Sequence, residues 1–87
     1  ILAKDPIEFG SSASMVNGAI EGFVKSAAIE MKPGHRINAV SPGVITEAME
    51  GYAPYFRGHD PVPAARAALG YAKSVEGLQT GQVFEIF

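Results

Sequence analysis

The order of elements constrains this chain more than any single motif in it. Two stretches read as strands: Arg36-Ile37-Asn38-Ala39-Val40, ended by Ser41-Pro42-Gly43, and the β-branched, aromatic tail from Thr80 to Phe87, which contains a glycine turn at its start. Roughly 35 residues separate them and include a helical stretch, a crossover of the kind that joins parallel rather than hairpin strands. Parallel sheets are normally covered on both faces. Two such strands make a poor sheet alone, so the chain is expected to be the end of a larger, doubly wound α/β sheet.

The helices carry their own spacing. Val16, Ala19, Ile20, Phe23, Val24, Ala27, Ala28 and Met31 recur at i, i+3, i+4, i+7, which predicts an amphipathic helix. Ser11, Ser12 or Ser14 is placed to cap it, Glu21 and Lys25 to pair across one turn, and Lys32-Pro33-Gly34 to stop it. Ser14, Gly18, Gly22 and Ser26 form a second stripe of small residues. A glycine inside a helix costs about 1 kcal/mol against alanine. Two in line point to a close neighbour, either within one subunit or across a helix–helix subunit interface. A short helix is expected around Glu47–Gly51 and an aromatic loop over Tyr52–Gly58. Asp60 and Pro61 read as the cap and first turn of another helix, with Val62, Ala65, Ala68, Leu69 and Ala72 as its apolar stripe and Gly77 as its stop. Ile1-Leu2-Ala3 reads as the end of a strand, broken by Lys4-Asp5-Pro6.

Composition closes off several functions. Of 87 residues, 47% are hydrophobic and 18% charged, which excludes a disordered chain. Lys+Arg number 7 and Asp+Glu 9, a formal charge of −2 that leaves no basic stripe for nucleic acid. Zero cysteine removes disulfides, thiolate zinc sites and thiol catalysis. No apolar run nears the roughly 18 residues of a membrane span, and no basic region precedes an apolar stretch. No membrane partner is expected, and the expected location is cytoplasmic.

Two stretches say more together. Asn17-Gly18-Ala19-Ile20-Glu21-Gly22-Phe23, continuing through Ala28-Ile29-Glu30-Met31 to Arg36-Ile37-Asn38-Ala39-Val40-Ser41-Pro42-Gly43, resembles the C-terminal half of the short-chain dehydrogenases/reductases. Leu78-Gln79-Thr80-Gly81-Gln82-Val83 resembles the turn that opens that family's last strand. The resemblance spans residues 11–86. It implies a Rossmann-type fold, with residues 1–87 as the C-terminal part of a single dinucleotide-binding domain. The N-terminal half, with the glycine-rich phosphate loop and the catalytic serine segment, is then absent. It also implies an NAD- or NADP-dependent oxidoreductase acting on a small-molecule substrate, and a homo-oligomer, dimer or tetramer.

The family's reaction uses a Tyr and a Lys four residues apart on the long helix. The phenol exchanges a proton with the substrate oxygen, while the Lys lowers the phenol's pKa and holds the nicotinamide ribose. Matched on Gly18-Ala19-Ile20-Glu21, these positions hold Ala13 and Asn17. Alanine transfers no proton and asparagine carries no charge. No catalytic residue is therefore expected in this chain, which resembles an atypical branch that keeps the fold without the pair. The alternative is a non-catalytic nucleotide-binding or scaffold homologue.

For the cofactor, the resemblance implies that Pro42 and Gly43 form the turn against the nicotinamide and that Ile45 offers its main chain to the carboxamide. Asn17 is the candidate for a ribose hydroxyl. Where the family has Thr five residues after the proline, this chain has Glu47, with Thr46 one earlier as the candidate phosphate contact. Tyr52, Tyr55 and Phe56 fall on the family's substrate-covering segment, where aromatics either wall an apolar pocket or pack locally. His35 is expected in solvent, and His59 beside Asp60 offers too few ligands for a metal. The serines lack a Gly-x-Ser-x-Gly elbow and read as caps rather than nucleophiles.

Overall fold

The computed structural model describes residues 1–87. Its first helix, α1 (Ser11–Glu30), begins at Gly10 with no side-chain cap. The expected serine caps do not form. The Ser14 hydroxyl donates instead to the Leu2 carbonyl at 2.8 Å, tying the N-terminal turn to the helix. Gly10 is packed so closely that a Cβ there would stand 2.8 Å from Ile7 Cγ1. The helix ends where Met31 turns extended, two residues ahead of Pro33, and Gly34 follows at φ +88°. The expected Glu21–Lys25 pair does not close; the chain's ion pairs are Lys4–Glu85 at 2.6 Å and a longer His59–Asp5 contact.

The strands β1 (Ala39–Pro42) and β2 (Val83–Ile86) pair in parallel, as their crossover requires, with Ala39 opposite Val83 and Pro42 opposite Ile86. β1 starts later than the sequence suggests and takes in Pro42, where the sequence pattern ends it. Both shifts have a local cause. The Arg36 guanidinium donates to the Ser74 and Val75 carbonyls, and the Asn38 amide to Ser74 Oγ and the Gln79 carbonyl. Side chains and one backbone hydrogen bond, from the Gly81 N–H to the Ile37 carbonyl at 2.8 Å, thus hold residues 36–38 ahead of the ladder. At the start of β1 the Ala39 N–H donates to the Gln82 carbonyl at 2.9 Å, and just past its end the Gly43 N–H donates to the Ile86 carbonyl at 2.8 Å. Alternation turns residue 42 the other way, so the N–H that proline lacks would have faced away from β2.

After β1 come a 3₁₀ turn (Thr46–Ala48), the one-turn helix α2 (Met49–Tyr52) and a second 3₁₀ turn (Ala53–Tyr55). Helical turns thus continue into the stretch expected as loop. The last helix, α3 (Ala64–Glu76), stops at Gly77 as expected. Asp60 and Pro61 do not start it. Val62 precedes Pro63, a position biased to extended backbone, and forms a parallel bridge with Ile45; Pro63 is the N-cap.

The face that α3 buries also differs from the expected stripe. Ala67 and Gly70 meet the sheet, while Ala65, Ala68, Leu69 and Ala72 are exposed. The cause is distance: a Cβ on Gly70 would stand 2.8 Å from Val40 Cγ1 and 3.3 Å from Ile86 Cγ1. A helix this close to the sheet has no room for leucine.

The buried apolar residues are Val24, Ala27, Val44, Val62, Ala67 and Phe84, with Val62 wholly enclosed. Of α1 only Val24 and Ala27 are buried; Val16, Ile20 and Phe23 are about half exposed or more. A Cβ on Gly18 or Gly22 would find nothing within 4 Å. Close packing within these 87 residues therefore does not explain the small stripe. No helix is long and apolar enough to cross a membrane.

Candidate functional site

Beyond β1 the backbone is fastened before it enters the aromatic segment. The Val62 N–H donates to the Val44 carbonyl at 2.8 Å, and the Thr46 N–H to the Val62 carbonyl at 2.9 Å. A bridge of this pattern turns the N–H of the bridged residue away from its partner. The Ile45 N–H accordingly makes no backbone hydrogen bond.

Ile45 lines a cavity of about 360 Å³ that also takes in Asn17 from α1, Pro42, Gly43, Tyr52 and Phe56. A second cavity, of about 260 Å³, lies against Ala13, Ile7, Phe9 and Tyr55 and shares Leu2, Tyr52 and Phe56 with the first. Sequence candidates from the helix, the turn after β1 and the aromatic segment thus meet at adjoining cavities. Glu21 lines the larger and Glu8 the smaller; no Lys, Arg or His lines either. The Asn17 carboxamide, the Thr46 hydroxyl and the phenols of Tyr52 and Tyr55 make no hydrogen bond within the chain. At the larger cavity the Ile1 nitrogen donates to Ser41 Oγ at 3.0 Å.

One candidate stands apart from these walls. Thr46 is exposed and lines neither cavity. Glu47, next to it, turns to α3, where Oε1 accepts the Ala64 N–H at 3.0 Å. His35 is exposed. The His59 ring stands edge-on to Phe56 at 5.3 Å between centroids, and Phe56 stands edge-on to Tyr52 at 6.4 Å. His59 Nε2 is 3.8 Å from Asp5 Oδ2, and no three His, Asp or Glu side chains converge as metal ligands.

The sequence reading missed two residues that build the site. Val62 anchors Ile45, and its position directly before a proline was the available signal. Glu47 caps a helix that starts 17 residues further on, a distance no local pattern spans.

No family model and no curated protein matches the chain. The crystal structure of the protein lin1944 from Listeria innocua matches it with a TM-score of 0.98 at 50% identity, over 100% of this chain and 44% of that one. The chain spans less than half the length of that solved chain. It is an α/β piece, three helices on a two-strand parallel sheet, homologous to one part of a longer protein.

Proposed function

We propose that the chain is the C-terminal part of a Rossmann-type dinucleotide-binding domain, and that its parent is an NAD(P)-dependent oxidoreductase of the short-chain dehydrogenase/reductase family. One observation carries this reading. Asn17, Pro42, Gly43 and Ile45, which the resemblance selects from separate stretches, line one cavity, and the Ile45 N–H there has no backbone partner.

The donor set suits the nicotinamide end of a dinucleotide. A backbone N–H and a side-chain carboxamide match an uncharged amide and a ribose hydroxyl. The set does not suit a pyrophosphate, because no Lys, Arg or His side chain lines the cavity and Glu21 does. Phosphate binding is therefore assigned mainly to the rest of the domain, with the Thr46 hydroxyl as this chain's contribution. A bound nicotinamide supplies or accepts the hydride. This chain's residues orient it through Asn17 and Ile45, and Tyr52 and Phe56 keep water from the site.

A second reading, a non-catalytic nucleotide-binding or scaffold homologue, is favoured by Ala13. Its methyl stands on the wall of the smaller cavity and offers no proton. Titration of the full-length parent with NADH and NADPH, followed by nicotinamide fluorescence, tests the first reading. One cofactor is expected to bind, about fivefold more weakly to Asn17→Ala, as loss of one hydrogen bond predicts. Binding of neither removes the cofactor claim. Binding without reduction of any carbonyl compound selects the second reading. The small-residue face of α1 is proposed as a contact in a homo-oligomer, tested by sedimentation of Gly22→Leu.

A further inference from the structure

The aromatic segment is closed at its base and tied at one point beyond it. Thr46 and Val62 bond across the base, and Glu47 holds the start of α3. From Ala48 to Pro61 no hydrogen bond reaches a residue outside Ile45–Pro61. One polar contact crosses from the far end of the segment to the rest of the chain: His59 Nε2 lies 3.8 Å from Asp5 Oδ2.

The two sides of that contact are held differently. Asp5 stands on a fixed turn. Lys4 pairs with Glu85 of β2 at 2.6 Å, the Leu2 carbonyl accepts the Ser14 hydroxyl of α1, and the Lys4 and Asp5 N–H groups both close on the Ile1 carbonyl. His59 belongs to the less tethered side. Its side chain is 14% exposed, its ring stands edge-on to Phe56, and its N–H donates to the Phe56 carbonyl at 3.1 Å. Phe56 therefore follows His59, and Phe56 lines both cavities.

At 3.8 Å the pair is too long for a hydrogen bond, so its attraction depends on charge. An imidazole changes charge between about pH 5 and 8. Neighbouring charges offer no substitute for Asp5. Lys4 is engaged by Glu85, Glu8 on the N-terminal turn and Asp60 on the segment itself form no ion pair with the ring, and Arg57 pairs with no carboxylate. We propose that Asp5 and His59 form a proton-controlled clasp. With the imidazole charged, the end of the aromatic segment is drawn onto the N-terminal turn; with it neutral, the segment is released and the wall at Phe56 loosens. The clasp goes beyond the dinucleotide reading and needs no cofactor.

Hydrogen exchange of the full-length parent at about pH 5.5 and 8, with rates corrected for the intrinsic effect of pH, tests it. The Phe56 and His59 amides are expected to be about threefold better protected at the lower pH, as a modest ion pair predicts. The Ala39 amide, bonded to the Gln82 carbonyl, is expected to show no such difference. Asp5→Asn and His59→Gln should each abolish the difference, with Ala39 still protected as the sign of an intact fold. His35→Gln, at the chain's other histidine, should keep it. Equal protection of Phe56 and His59 at both pH values in the parent would overturn the proposal. So would a difference that survives Asp5→Asn or His59→Gln, that vanishes in His35→Gln, or that appears equally at Ala39.

Discussion

The carboxylate of Glu47 accepts the backbone N–H of Ala64 at 3.0 Å and so fastens the turn after Ile45 to the start of α3. The first N–H groups of a helix have no partner within it, and Pro63 at the N-cap has no side-chain acceptor to offer. Glu47 supplies both an acceptor and a negative charge at the positive end of the helix. Together with the Thr46–Val62 hydrogen bond it closes the base of the segment that carries Tyr52, Tyr55 and Phe56.

Glu47→Ala is expected to lower stability by about 1 kcal/mol, the usual cost of a lost N-terminal cap. Glu47→Gln keeps the acceptor and loses the charge, and should cost only a few tenths of that. Urea unfolding reads both. An alanine variant as stable as the parent would remove the latch from the account.

Glycines in the two long helices should respond in opposite senses. Within one subunit Gly22→Ala meets open space and gains helix propensity, so unfolding of the monomer should cost roughly 0.5–1 kcal/mol more. Gly70→Ala brings a Cβ to 2.8 Å from Val40 Cγ1, and overpacking of that kind costs about 1–3 kcal/mol. Denaturant midpoints of the two variants should move apart. Stabilisation by both would mean that α3 stands further from the sheet than Gly70 indicates.

Val62→Ala removes two methyl groups from a residue with no exposed surface and should cost about 2 kcal/mol. Leu69→Ala, on the exposed side of α3, should stay within about 0.5 kcal/mol. The comparison is informative because the sequence pattern assigns both residues to one buried stripe. Similar losses at both positions would restore that stripe.

Arg36 holds the far end of α3 through the carbonyls of Ser74 and Val75. Lysine keeps the charge but not the planar fork that reaches two acceptors. Arg36→Lys is expected to lose about 1 kcal/mol in thermal or urea unfolding; full retention would assign the contact to charge alone.

These contrasts mark how much the sequence could tell. The long helix was legible because Val24 and Ala27 repeat on its buried face, and the parallel pairing because of the crossover between Pro42 and Val83. The buried face of α3 was not legible: hydrophobicity selects Leu69, whereas closeness to Val40 and Ile86 selects Gly70. The start of β1 was not legible either, because Arg36 and Asn38 look extended yet bond through side chains to residues near the end of α3. At the site, Asn17, Pro42, Gly43 and Ile45 come together as the resemblance groups them, while Thr46 stands off the cavity walls. The partner of Glu47 could emerge only in three dimensions.

The central claim is that the larger cavity receives a nicotinamide against the Ile45 N–H. The most direct measurement is the amide resonance of Ile45 during titration of the full-length parent with NADH. The account predicts a saturable downfield shift of that amide, accompanied by movement of the Asn17 side-chain amide and lost or weakened in Asn17→Ala. NADH that leaves both resonances in place, or that perturbs only residues away from Asn17, Gly43 and Ile45, would contradict it.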